Sequence, residues 1–268
     1  MRHSIPTPTL SAFEIGPLTI HFYALCIIAG VAIAIWLGNR RFIASFPQGG
    51  GVVADVAIVA IPAGVIGGRL YHVATSPTDY FGEEGRAIDA LKIWNGGLGI
   101  WGAIALGTLA AFLTYQRIRR TQDLPPFRYF ADALAPGIAL AQVIGRWGNW
   151  FNAELYGRPL DAPWALAIPE QFREDGYLNY ETFHPTFLYE SLWCALILVL
   201  LLSLGARLPA GTIFLLYIAL YCFGRFFIEG LRIDSATSFA GLRLNQYLAA
   251  LLFIGASAAV LKISRPSR

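Results

Sequence analysis

Charge is scarce in this chain of 268 residues. Asp, Glu, Lys and Arg make up 14% of it, against 56% hydrophobic residues and a mean hydropathy of +0.54. Soluble domains carry about 25% charged residues, so a water-soluble globule of this length is excluded for want of polar surface. Cysteine is scarce as well. Cys26, Cys194 and Cys222 all lie in apolar runs, where a thiol ordinarily serves as a small packing group, and neither a disulfide nor a cysteine nucleophile is expected. The chain has no Gly-x-Ser-x-Gly, His-Glu-x-x-His, Cys-x-x-Cys or phosphate-binding loop. That argues against a rhomboid-like or metal-dependent intramembrane protease, and no metal, cofactor or nucleic-acid partner is expected. No repeat or low-complexity tract is visible. A secretory leader is not expected either, because the basic pair Arg40-Arg41 follows the first apolar run instead of preceding it.

What the chain does have is long runs without charge. Ile15 to Asn39, Ile93 to Gln116, Ser191 to Ala206, Leu208 to Gly224 and Leu244 to Leu261 contain no Lys, Arg, Asp or Glu. About 20 apolar residues span the hydrocarbon of a bilayer, and backbone groups there must be bonded within the segment. Two further stretches are interrupted: Val52–Tyr71 by Asp55 and Arg69, and Tyr129–Trp150 by Asp132 and Arg146. The expected fold is an all-α integral membrane protein, a single polytopic domain over 1–268 with seven transmembrane helices. These are placed near 19–38, 52–71, 94–115, 130–150, 186–205, 211–229 and 245–262.

Basic residues set the expected orientation. Arg40, Arg41, Arg117, Arg119, Arg120, Arg128, Arg207, Lys262, Arg265 and Arg268 follow spans one, three, five and seven, which is ten of the twenty Lys and Arg. Acidic residues such as Glu83, Glu84, Asp89, Glu174 and Asp175 gather on the other side. Positive charge marks the cytoplasm, so the N-terminus is expected outside and the C-terminus inside. The longest break, near 151–185, then faces outward as a loop or head region, and breaks of that length are usually functional.

An ionisable residue at membrane depth is costly, by about 2.5–3.5 kcal/mol on insertion scales, and is read as functional by default. Arg69, Arg146 and Arg225 qualify, each near the outward end of its span. Snorkelling of each guanidinium to its own interface is one account; an anion site in the outer leaflet is the other, because guanidinium matches phosphate bidentately. Gly145-Arg146-Trp147-Gly148-Asn149-Trp150-Phe151-Asn152 puts Arg146, Asn149 and Asn152 at helical spacing. Helix-to-helix hydrogen bonding is the bland reading of that set. Arg225 and Glu229 are four apart and share a helix face. Tyr23, His72, His184 and Glu190 also sit near outward helix ends, where interface anchoring or structural hydrogen bonding is their ordinary use. A channel fits poorly, since no polar stripe runs through to the cytoplasmic side.

The sequence resembles the bacterial prolipoprotein diacylglyceryl transferase family over nearly its whole length. The resemblance rests on separated blocks in family order: His21-Phe22-Tyr23, Gly67-Gly68-Arg69, Ile93 to Leu98, the signature-like Gly145 to Arg158, His184 to Glu190, and Gly224 to Glu229. It implies a transferase in the bacterial inner membrane. Phosphatidylglycerol would donate its diacylglyceryl group to the lipobox cysteine of a preprolipoprotein, giving a thioether and glycerol phosphate. It also implies that Arg146 binds phosphatidylglycerol, that Arg225 is a second essential arginine, and that Tyr23, Asn149, Glu154, Gly157 and Glu229 fall on motif positions. One departure is plain. Trp101-Gly102-Ala103 stands where many members carry His-Gly-Gly, and Asn95 stands where an acidic residue is common. This leaves Tyr23, His72 or bulk solvent as the base. The alternative in a different class is an outer-leaflet lipid-binding or transport protein without chemistry.

Overall fold

Residues 12–15 and 18–21 pair before the first long helix begins. Strand β1 (Ala12–Ile15) runs antiparallel to β2 (Leu18–His21), with Phe13 opposite Ile20. The first apolar run therefore turns helical only at Phe22, three residues later than expected, and continues through Arg40 and Arg41 to Ser45. The computed structural model describes residues 4–16, 18–83 and 85–264, without the side chains of Asn95 and Ala206. Glu84, Arg265, Arg268 and the side chain of Asn95, all used in the sequence argument, lie outside what is described.

The helices are α1 (Phe22–Ser45), α2 (Val52–Thr75), the single turn α3 (Thr78–Phe81), α4 (Ile100–Arg119), α5 (Phe127–Phe151), α6 (Thr186–Leu204), α7 (Thr212–Glu229) and α8 (Leu244–Ser264). Strands after the first hairpin are two-residue pairs: β3 (Leu166–Ala167) with β4 (Thr182–Phe183), and β5 (Ser238–Phe239) with β6 (Leu242–Arg243). The protein is thus mainly helical. Among the described residues, α1, α2, α6, α7 and α8 are long and apolar enough to cross a membrane. Helices α4 and α5 are equally long but more polar, and α5 carries Arg128, Asp132, Gln142, Arg146 and Asn149.

The chain divides into two compact units, Met1–Gly38 with Ala131–Arg268, and Asn39–Phe130. In the second, α2 and α4 approach closely because Gly67 and Gly102 face each other. A Cβ on Gly67 would lie 2.3 Å from the Gly102 carbonyl oxygen, and one on Gly102 2.1 Å from that of Gly67. Small residues at helix contacts replace the hydrophobic drive that lipid does not supply. Phe42, Tyr115 and Phe130 are fully buried and meet at ring distances of 4.6–6.3 Å. Helix α4 starts at Ile100, six residues beyond the expected start of span three. Gly96 and Gly97 have φ of 83° and 73°, so no right-handed helix can pass through them.

In the first unit, Ala135 and Ala139 of α5 are fully buried against Ile197 and Leu201 of α6 and Ile213 and Tyr217 of α7. Buried Asp132 is explained here. Its carboxylate accepts the backbone N–H of Gly211 at 2.5 Å and of Phe214 at 2.9 Å, filling donors that the start of α7 leaves open. The 151–185 segment has its own core, in which Ala153, Tyr156, Leu166, Ile168 and Phe183 pack with Phe187.

Candidate active site

Helix α5 ends at Phe151 in a strained turn. Ala153 and Leu155 adopt φ of 53° and 59°, a region that residues with a side chain rarely enter and that is retained where surrounding contacts fix it. Those contacts are present. The Glu154 N–H donates to the Asn149 carbonyl at 3.1 Å, and the Thr186 hydroxyl donates to the Leu155 carbonyl. The turn folds Glu154 back onto the helix, where its Oε1 accepts from Asn149 Nδ2 at 2.8 Å and from Asn152 Nδ2 at 3.4 Å. Gly157 follows, donating its N–H to the His184 carbonyl at 3.0 Å. A Cβ there would lie 2.8 Å from His184 Cβ and 3.0 Å from the Leu231 oxygen, so no larger residue fits.

Arg146 is the next link. Its Nε lies 2.7 Å from Glu190 Oε2, its Nη2 3.3 Å from the Tyr221 hydroxyl and its Nη1 3.5 Å from Asn149 Oδ1. Glu190 is buried in the first turns of α6, and its other oxygen accepts from Arg225 Nη1 at 2.7 Å. Arg225 then reaches Glu229 Oε2 at 2.5 Å through Nη2. The four-residue spacing on α7 thus produces the ion pair expected of it.

Glu229 is fully buried and serves several partners. Arg232 Nη1 lies 3.4 Å away, Arg243 Nε 3.2 Å, and Asn245 Nδ2 donates to it at 3.1 Å. Arg232 and Arg243 both hold Asp234, the first by two parallel bonds of 2.7 and 2.8 Å. Burial pushes the Asp234 carboxyl up, but the two guanidiniums outweigh it and hold it below its ordinary value. The result is one alternating chain of charge: Arg146, Glu190, Arg225, Glu229, then Arg232 and Arg243 on Asp234.

Tyr23 joins this group through its ring. A Cβ on Gly148, between Arg146 and Asn149 in the sequence, would lie 2.6 Å from Tyr23 Cδ2. No hydrogen bond to the Tyr23 hydroxyl is present among the described residues. His184 and His72 are each engaged with a tyrosine, His184 Nδ1 with Tyr189 at 3.1 Å and His72 Nδ1 with Tyr80 at 2.9 Å. Burial, helped by Arg158, lowers His184 from the usual imidazole value, so it is neutral at pH 7.

Arg69, in the other unit, is differently used. Nε donates to Ala90 O at 2.8 Å, Nη1 to Gly96 O and Gly97 O at 2.6 and 3.0 Å, and Nη2 to Asp89 O and, at 3.3 Å, to Lys92 O. A guanidinium has five N–H donors, and five carbonyls take them. Arg69 therefore staples the 89–97 loop and has no donor left for a phosphate, which corrects its reading as a third anion-binding arginine. Arg69→Gln is expected to lower stability by about 1–3 kcal/mol, because the carbonyls of the 89–97 loop lose their partners. Thermal unfolding in detergent checks this; an unchanged midpoint would mean the staple is dispensable.

The sequence argument ranked Glu190 low and did not single out Tyr221, Arg232, Asp234, Arg243 or Asn245. Two signals were there to be used. Glu190 is an acid at the head of an otherwise charge-free span, and Arg232 stands three residues beyond Glu229. Asp234, Arg243 and Asn245 reach the site only through the β5–β6 turn.

Residues 10–262 match the family described as prolipoprotein diacylglyceryl transferase. The chain belongs to that family. It is 53% identical over 258 residues to phosphatidylglycerol–prolipoprotein diacylglyceryl transferase 2 of Streptomyces coelicolor, covering 95% of this chain and 79% of that protein. A Streptomyces griseus protein, named phosphatidylglycerol–prolipoprotein diacylglyceryl transferase, is 52% identical over 93% of this chain and 74% of its own length. The Cutibacterium acnes protein of the same name is 49% identical over 98% and 87%. Every residue of the cluster described above, from Tyr23 to Asn245, lies inside the matched span.

Proposed function

We propose that this transferase moves the diacylglyceryl group of phosphatidylglycerol to the lipobox cysteine of a preprolipoprotein, and that Arg146 and Arg225 hold the donor's phosphate. The observation that carries the assignment of residues is the pair of guanidiniums gripping opposite oxygens of Glu190. Both keep N–H donors in hand. Among the described residues, Arg146 donates through Nη1 and Nη2 and pairs with Glu190 by charge at Nε, and Arg225 donates through Nη1 and pairs with Glu229 at Nη2, so each of the two five-donor groups has N–H donors left for a phosphate. The relatives are named as transferases, and a lipid carrier without chemistry is not taken further.

In the reaction the cysteine sulfur attacks the glyceryl carbon that bears the phosphate ester. The carbon–sulfur bond forms, the carbon–oxygen bond breaks, and the electron pair leaves with glycerol phosphate. Negative charge grows on the phosphate oxygens, where fixed arginine donors stabilise it in a site shielded from water. The thiol proton must also leave, since a thiol of ordinary pKa near 8.5 is mostly protonated at neutral pH. Tyr23, whose hydroxyl takes no hydrogen bond among the described residues, would relay that proton, accepting it on oxygen while its own passes to solvent. Asn149 and Asn152 orient Glu154, Glu229 holds Arg225, and Gly157 lets the outward segment close against the start of α6.

The membrane arrangement belongs to the same proposal. The apolar runs support seven spans, and the arginine distribution supports an N-terminus outside and a C-terminus in the cytoplasm. They set the 151–185 region and the site toward the outer leaflet of the bacterial inner membrane, where the donor lipid and the lipobox peptide meet. A cysteine introduced at Asp175 is expected to react with an impermeant thiol reagent from outside. Labelling only from the cytoplasmic face would reverse the topology.

The decisive experiment is direct: purified protein, phosphatidylglycerol and a lipobox peptide are incubated, and the peptide is weighed by mass spectrometry. A diacylglyceryl increment on cysteine is expected; its absence, with lipid nonetheless bound, would leave only the carrier reading. Tyr23→Phe is expected to cut turnover by about 100-fold, the scale of a lost proton-transfer group, with little change in lipid binding. His72→Gln and His184→Gln should remain active. A folded but inactive histidine variant would move the base role to that histidine.

A further inference from the structure

We infer that Glu190 is a positioning residue for the transfer step, a single carboxylate that fixes both phosphate-binding guanidiniums. This rests on the reading of Arg146 and Arg225 given above. Glu190 is 4% exposed, and a carboxylate so buried is costly unless it is paired with charge. Its Oε1 takes a hydrogen bond from Arg225, whereas its Oε2 lies 2.7 Å from Arg146 Nε as an ion pair without hydrogen-bond alignment. Glu190 thus holds Arg146 by charge, while Tyr221 and Asn149 orient its plane.

The balance of charge supports the same role. Arg146, Arg225, Arg232 and Arg243 stand against Glu154, Glu190, Glu229 and Asp234, four positive groups to four negative, so that loss of one carboxylate leaves a positive charge unmatched. A phosphodiester donor carries one negative charge. As the carbon–oxygen bond breaks, that phosphate becomes more negative. Guanidiniums already locked on Glu190 meet the growing charge without having to reorganise. Without the carboxylate's charge, two guanidiniums meeting at one group repel each other and relax around whatever anion is present. They then bind the ground-state phosphate at least as well but lose their preference for the transition state, and it is that difference that sets the rate.

The prediction is a split between kcat and KM. Glu190→Gln keeps the shape and removes the charge; its kcat should fall about 100-fold while KM for phosphatidylglycerol stays level or drops. Glu190→Asp keeps the charge on a shorter arm and should recover at least about tenfold in kcat over the Gln variant. Both are to be assayed at varied phosphatidylglycerol with a lipobox peptide, per amount of protein that shows a cooperative thermal transition in detergent. If the Gln variant does not fold, the Asp variant decides alone, by a reduced kcat at unchanged KM. A raised KM with unchanged kcat, wild-type kinetics, or an Asp variant no better than a folded Gln variant would each overturn the inference. Those outcomes leave the transferase reading intact, because that reading fails only if the unaltered protein does not transfer at all.

Discussion

Replacing Arg146 by lysine is expected to lower the transfer rate by about 100- to 1,000-fold although the charge is kept, on the scale of removing one fixed transition-state donor. The geometry says why. Arg146 meets Glu190 through Nε, Asn149 through Nη1 and Tyr221 through Nη2, three directions set by one planar group. A lysine ammonium is a point charge on a flexible stem, and it satisfies one of these directions at the expense of the others. It also offers no second parallel N–H to a phosphate. The measurement is initial rate against phosphatidylglycerol concentration, with the lipobox peptide saturating. Near-normal transfer by the folded lysine variant would reduce Arg146 to a packing or interface residue.

The second large effect concerns stability. Glu229 has no exposed surface and lies within ion-pair distance of Arg225, Arg232 and Arg243, whose side chains are themselves 16, 7 and 12% exposed. Removing one partner of a buried pair leaves charge uncompensated, which costs about 3–5 kcal/mol. Glu229→Ala is expected to lose about that much, and to lose activity with it because Arg225 is released. Thermal unfolding of the purified variant in detergent reads the first, and the peptide assay reads the second. Glu229→Gln should be milder, since its amide oxygen still accepts from Asn245 or one guanidinium. An Ala variant that melts at the wild-type temperature would show that the arginines are neutralised from elsewhere.

Much of the fold was legible because hydropathy along a helix is a local property. The expected spans matched α6, α7 and α8 to within two residues at each end, whereas α1 runs seven residues past its expected end. The larger errors of boundary have local causes that a hydropathy window does not see: residues 18–21 pair with 12–15, delaying α1, and the positive φ of Gly96 and Gly97 delays α4. Arg225 with Glu229 was legible too, because four residues on a helix is a contact.

Arg69 and Glu190 were not legible in this way. By sequence, Arg69, Arg146 and Arg225 were three arginines near outward helix ends, of which Arg146 and Arg225 were favoured for their neighbours. What separates them is where their donors go: Arg69 to five backbone carbonyls of one loop, and the other two to one glutamate. No spacing rule predicts a carbonyl cluster formed by residues 89–97, since it depends on how that loop closes over α2. Glu190 lies 44 residues from Arg146 and 35 from Arg225, and only the packing of α5, α6 and α7 makes it their common partner. The sequence alone therefore determined a helical membrane protein of the diacylglyceryl transferase kind and where its costly charges lie, because burial in lipid leaves its mark residue by residue. The tertiary structure alone decided which of those charges pair with one another, because ion pairs form across distances in space that the order of residues does not record.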